Sequence, residues 1–188
     1  MKIYHTIFLL FLILSSCQNK AQDKTSDYLE ITKENASPNA QKIMTENFYW
    51  DMIDEFSPFG NDTGNDTFYI YYDWKKTNLN KNGTDFLNYD SKEFNPYNFD
   101  LNIKDKELVK KHVEKMTNQY VDLNRIDNEI ISLAFTQLFL SGKIESEVKE
   151  LSLKAIEREM LYLDFWDTDS KIREERLRQM KSDILKSQ

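Results

Sequence analysis

The chain has 188 residues, with 32 Asp or Glu against 25 Lys or Arg and a formal charge of −7. So acidic a balance argues against a nucleic-acid footprint and against electrostatic adhesion to anionic lipid. Cys17 is the only cysteine, which excludes an internal disulfide and thiol chemistry elsewhere.

Lys2 followed by the apolar run Ile7 to Leu14 reads as the charged and hydrophobic parts of a signal segment. Eight apolar residues are too few to remain as a membrane-spanning helix. Leu14-Ser15-Ser16-Cys17 matches the bacterial lipobox, in which cleavage leaves Cys17 first and ready for diacylation. Residues 1–16 are expected to be signal peptide, 17–36 a lipidated polar tether with a short ordered piece at Tyr28 to Ile31, and 37–188 a helical domain. Losing residues 1–16 removes Lys2 and no acid, so the lipid on Cys17, not surface charge, would hold the protein at a membrane of the bacterial cell envelope. The signal leaves open which membrane and leaflet.

Ser37-Pro38 supplies a cap and a proline at the first helical position, predicting a helix through Ile43 and Met44 towards Trp50. Ser57-Pro58-Phe59-Gly60 breaks the chain, because proline removes a donor and pushes its predecessor out of the helical region. Gly60 and Gly64 tolerate positive φ, and Asn61, Asp62 and Asn65 bend the backbone by bonding to it. Asn65 then reads as a helix cap. Phe68 to Trp74 has strand composition, but Ile70 and Trp74 fit one helical face, and the cap favours helix.

Thr77 to Asp100 reads as a long connection pinned by Tyr89, Phe94, Tyr97 and Phe99 instead of regular structure. From Asp105 a helix is predicted with Val109, Val113, Met116 and Tyr120 as its stripe. Asp127 to Ser141 is apolar on nearly every side and should be the buried centre, stopped by Gly142. Ser146 to about Trp166 is amphipathic, and a last helix from Asp169 carries the thinner stripe Ile172, Leu177, Met180 and Ile184. The expected class is mainly α.

Chemistry concentrates in Asn47 to Trp74. The rings there, Trp50 and Trp74 among them, must pack together or grip something. Asp51, Asp54, Glu55, Asn61, Asp62 and Asp66 are the candidate ligand- or partner-binding residues, with Trp50 and Trp74. Oxygen-rich groups of this kind bind divalent cations, yet NDTGND lacks the calcium-loop spacing, and capping by Asp and Asn explains it without an ion. Two acids among rings also suggest glycoside hydrolysis, but nothing sets their separation. His112, the lone histidine after the signal, makes no ordinary zinc site and no recognisable triad. Asn61-Asp62-Thr63, Asn65-Asp66-Thr67 and Asn82-Gly83-Thr84 fit the glycosylation triplet, which in a bacterial chain is chance.

Phe48, Tyr49, Trp50, Asp51, Asp54, Glu55, Pro58, Phe59, Gly60, Asp62, Asp66 and Trp74 fall on a pattern that resembles the YfeS-like family of small bacterial proteins. A weaker echo covers Asp127 to Arg158. The resemblance implies a largely helical domain and no established activity; the lipoprotein signal departs from it. The expected function is a membrane-anchored, non-enzymatic binding domain that meets a protein partner through the acidic-aromatic turn, without cofactor and without nucleic acid. The alternative is a metal-dependent hydrolase using a divalent cation held by Asp54, Glu55, Asp62 and Asp66.

Overall fold

A computed structural model describes residues 29–89 and 91–187. The signal segment, Cys17 and most of the tether lie outside the described residues. The described end of the tether belongs to the folded body, since Ile31 and Ala36 are buried in the core.

The fold is mainly helical, and there is no strand among the described residues. Its helices are α1 (Pro38–Ile43), α2 (Asp62–Thr77), α3 (Gly83–Leu87), α4 (Ser91–Phe94), α5 (Lys106–Val113), α6 (Tyr120–Ser141), α7 (Ser146–Glu159) and α8 (Ser170–Lys186). Short 3₁₀ segments cover Asn47–Trp50 and Leu163–Asp169. The apolar stretch centred on Leu133 is indeed the middle of the molecule: Ile130 to Phe139 is buried without interruption. Around α6 lie α2 on one side and α7 on the other, with α1 at its end and α8 against α7.

Helix α6 starts seven residues earlier than the apolar pattern predicts. Asp122 explains this, because its carboxylate accepts from the Asn118 amide at 2.9 Å and from Tyr97 Oη at 2.6 Å, ordering the first turn. The stop is as expected: Gly142 sits at φ +76 and donates to Leu138 O at 2.9 Å. The start of α1 closes this end of α6. Ser37 Oγ accepts from the Ala40 amide at 3.1 Å and donates to Leu138 O at 2.8 Å, and the Ser37 amide donates to Phe139 O at 2.8 Å, so one residue caps the start of α1 and the end of α6.

Helix α1 does not run on to Trp50. It ends at Ile43, and Met44 leaves the helical region at ψ 68. Turning there lets Met44, Phe48 and Tyr49 all be buried, with Tyr49 Oη donating to Asp183 on α8 at 2.8 Å. The ambiguous FYIYY segment is helix, as the cap argument favoured, but the cap is Asn61 and not Asn65. Residues 77–100 are less irregular than expected. Asn82 and Asp85 form a capping box that starts α3, and Tyr89 is exposed while Phe94 and Phe99 are buried. Val109 and Val113 go inward as predicted, but α5 ends at Val113: Met116 is buried beside them from the turn that follows, in a satellite core with Phe99, Leu123 and Tyr162, and Tyr120 opens α6 instead of closing α5. Helix α7 ends at Glu159, well short of Trp166.

In α8 the register differs from the predicted stripe. Ile172 is 46% exposed, and Arg173 takes the inward place above Leu177, Met180 and Ile184. Positions 173, 177, 180 and 184 follow the three-and-four spacing of one helical face, and 172 lies one residue off it.

Candidate functional site

The segment from Asp51 to Asn61 is an elbow built by its own polar side chains. Asp51 Oδ1 accepts from the Ile53 amide at 3.0 Å, Asp54 Oδ1 from the Phe56 amide at 2.9 Å and Ser57 Oγ from the Phe59 amide at 3.2 Å. Asn61 finishes it: its amide donates to Glu55 O and Ser57 O, each at 3.2 Å, while its oxygen caps α2 through the Gly64 amide at 2.9 Å. Such local bonds are the ordinary preference of Asp, Asn and Ser in turns.

Neither Gly60 in the elbow nor Gly64 in the first turn of α2 is at positive φ; each is there for close approach. A Cβ on Gly60 would lie 2.1 Å from Asp54 O, and one on Gly64 would lie 2.2 Å from Pro58 O. Backbone oxygens cannot swing aside as side-chain tips do. The same Pro58 oxygen accepts from Ser132 Oγ on α6 at 2.6 Å, which fixes the elbow to the central helix. Gly64→Ala should therefore lower stability by about 1–3 kcal/mol, the usual range for forced overpacking, as read by urea unfolding. An unchanged midpoint would mean the approach is relaxed in solution.

The rings of the elbow point inward. Phe59 meets Phe68 edge-on at 5.5 Å, and both meet Phe139, at 6.2 and 5.0 Å. Trp50 packs on Phe139 at 6.4 Å. Trp74 stacks with Tyr71 at 5.9 Å and touches Phe86 at 5.5 Å. The expectation that these rings grip a ligand thus gives way to its alternative: they pack on one another and on α6. Trp50 and Trp74 are core residues, and only Trp50 retains partial exposure of the two.

The carboxylates are dispersed. Asp54 pairs with Arg176 at 3.3 Å, and that guanidinium also lies over the Phe48 ring at 4.3 Å. Asp51, Glu55, Asp62 and Asp66 are exposed. Among the described residues no three His, Cys, Asp or Glu gather to hold a metal ion. His112 is an edge residue, its Nδ1 2.9 Å from Leu108 O and its ring edge-on to Phe99.

Of the residues singled out from the sequence, Asp66 borders a concave surface. This cleft, of about 280 Å³, is lined by α2 through Thr63, Asp66, Thr67 and Ile70, by Phe86, Leu87 and Tyr89 in and after α3, by Glu93 and Phe94, and by Arg125 and Glu129 of α6. Arg125 pairs with Glu129 at 3.7 Å and donates to Glu93 O and Phe94 O at 2.8 and 3.0 Å. Among the described residues, the Asp66 and Glu93 carboxylates have no cationic partner.

The most unusual chemistry is not in the elbow at all. Two fully buried ion pairs join α6, α7 and α8. Arg158 holds Asp127 through Nε at 3.0 Å and through Nη2, and donates from Nη1 to Leu101 O and Ile103 O at 2.9 and 3.0 Å. Tyr162 Oη completes the Asp127 shell at 2.9 Å. Arg173 grips Glu159 at 2.5 and 2.7 Å, Asn128 Oδ1 at 2.9 Å and the elbow's Phe56 O at 3.1 Å, while Trp166 Nε1 donates to Glu159 at 3.1 Å. Burial pushes the Asp127 carboxyl up to about 6 despite Arg158, and burial next to Asp127 raises the Tyr162 phenol well above its ordinary value. Every polar atom named is partnered, so the network serves to register the helices. A trace was present in the sequence: Arg158 continues the inward stripe of Leu151 and Ala155, and Asp127 opens an apolar helix.

The fold and site together define a mainly helical body with an acid-rimmed cleft beside a hydrogen-bonded elbow. Comparison with family models, curated proteins and solved structures returns no match to this chain.

Proposed function

We propose that the protein is a membrane-anchored bacterial lipoprotein whose helical domain binds a protein partner without catalysis. The lipobox at Leu14 to Cys17 supports the anchor, and the motif shared with YfeS-like proteins supports kinship with that family. The observation that carries the binding surface is the cleft at Asp66. It combines exposed apolar and aromatic surface, Ile70 and Tyr89, with acids that are unpaired among the described residues, and it lies at the edge of the elbow, not inside it. Interaction sites are marked by contacts of this mixed kind. The elbow's part is to hold α2 in position.

The test is a photo-crosslinking residue at Tyr89 in the full chain in native membranes, read with the intact mass of Cys17. A discrete crosslinked protein and a diacylated Cys17 are the expected results. Alanine at Asp62 and Asp66 should reduce the crosslink while leaving circular dichroism and melting unchanged, because both side chains are exposed. An undiminished crosslink in that variant would remove the cleft reading; an unmodified thiol on soluble material would remove the anchor.

A further inference from the structure

We infer that the cleft beside α2 receives an arginine side chain presented by the protein partner. This rests on the interaction reading above and adds the chemistry of the occupant. Three properties converge on it.

The first is size. At about 280 Å³ the cleft falls at the lower edge of ligand pockets, which run from about 300 to 1,000 Å³. That is room enough for one extended side chain. The second is the split between floor and rim. Phe86, Leu87 and Phe94 are buried apolar residues that line it, and Ile70 and Tyr89 stand exposed at its mouth. A long side chain with an apolar stem and a charged head matches such a surface, because the stem covers the floor while the head stays at the wet rim.

The third is charge. Arg125 is already committed to Glu129 and to the Glu93 and Phe94 carbonyls, which among the described residues leaves the Asp66 and Glu93 carboxylates without a cationic partner at the rim. An anionic occupant would face repulsion there, and a neutral one would leave the rim unused. The protein's net charge of −7 also draws a cationic partner over distances beyond contact. Arginine fits better than lysine because its planar guanidinium both stacks on rings and bridges carboxylates, and aromatic residues and carboxylates are what the mouth offers.

The experiment uses the full chain in detergent micelles, titrated with a blocked pentapeptide of glycines around one arginine and with the same peptide carrying citrulline. Amide shifts read by NMR are expected to map to Thr63–Ile70 and to Phe86, Leu87, Tyr89, Glu93 and Phe94, with arginine only. Asp66→Asn and Glu93→Gln should each weaken the arginine response about fivefold, the scale of one exposed ion pair. Among the described residues neither side chain has a hydrogen-bond or ion-pair partner, so the variants should fold; unchanged dispersion of the remaining amides checks this. Equal responses to citrulline, shifts mapping elsewhere, or no shift up to the solubility limit would each overturn the inference. So would the same shifts appearing on concentration alone, since a second copy would then be the occupant. A crosslink at Tyr89 that survives with no arginine response would retain the interaction reading and reject only its chemistry.

Discussion

Asp127→Ala should destabilise the protein by about 3–5 kcal/mol, because it leaves the Arg158 guanidinium buried without its carboxylate. Both side chains of the pair are completely inaccessible to solvent. Tyr162 would lose its acceptor as well. Replacing Asp127 by Leu and Arg158 by Met together should recover part of the loss, since no bare charge then remains, although Leu101 O and Ile103 O lose a donor. Urea unfolding of Asp127→Leu, Arg158→Met and the double variant checks this. A double-variant loss equal to the sum of the two single losses would mean that each side chain acts through its packing volume alone.

The same pair sets a pH dependence whose sign is unusual for a carboxylate. Asp127 has a folded pKa of about 6 against 3.8 when free, so between those values the folded state holds the proton more often than the unfolded state does. Stability through this group therefore rises as pH falls through about 6 and levels off below 3.8, while above about 6 the full cost of the buried anion is present. Glu157, held low by Lys104 and Lys181, acts in the opposite direction. Subtracting the curve of Asp127→Asn, which cannot titrate, isolates the Asp127 part. A difference that stays flat from pH 7 to pH 4 would show that the anion is not penalised.

Phe139→Ala is the second large expectation, at about 3–5 kcal/mol of lost stability. Phe139 is 1% exposed and is the ring that Trp50, Phe59 and Phe68 share. Its removal opens a cavity where the elbow meets α6, and backbone fixed by Pro58 O to Ser132 cannot collapse into it freely. Faster amide exchange in 51–61 should accompany the loss. Asp62→Ala on the same motif should fall within about 0.5 kcal/mol of wild type, because it is an exposed side chain. If the two variants melted alike, the elbow would not be anchored by its rings.

Those contrasts show where the sequence was a sufficient guide. The cap at Ser37, the stop at Gly142, the helical reading of Phe68 to Trp74 and the burial of α6 all rest on local chemistry or on a single-helix pattern. Helix ends were less legible. Met44 leaves α1 early and Glu159 ends α7 early because buried partners elsewhere, Asp183 and Arg173, require the chain to be there.

What the amino-acid order alone determined is the helical class, the acidic charge and the presence of a self-bonding elbow, because each follows from residues near one another in the chain. Only the tertiary structure decided that the elbow's rings face the core, that its acids are dispersed, that Arg158 and Arg173 are interior, and that Asp66 borders a cleft. The physical reason is that a ring or a charge is read by what lies opposite it. For Arg173, Arg158 and Asp54 the opposing charged group is separated in sequence by 14, 31 and 122 residues.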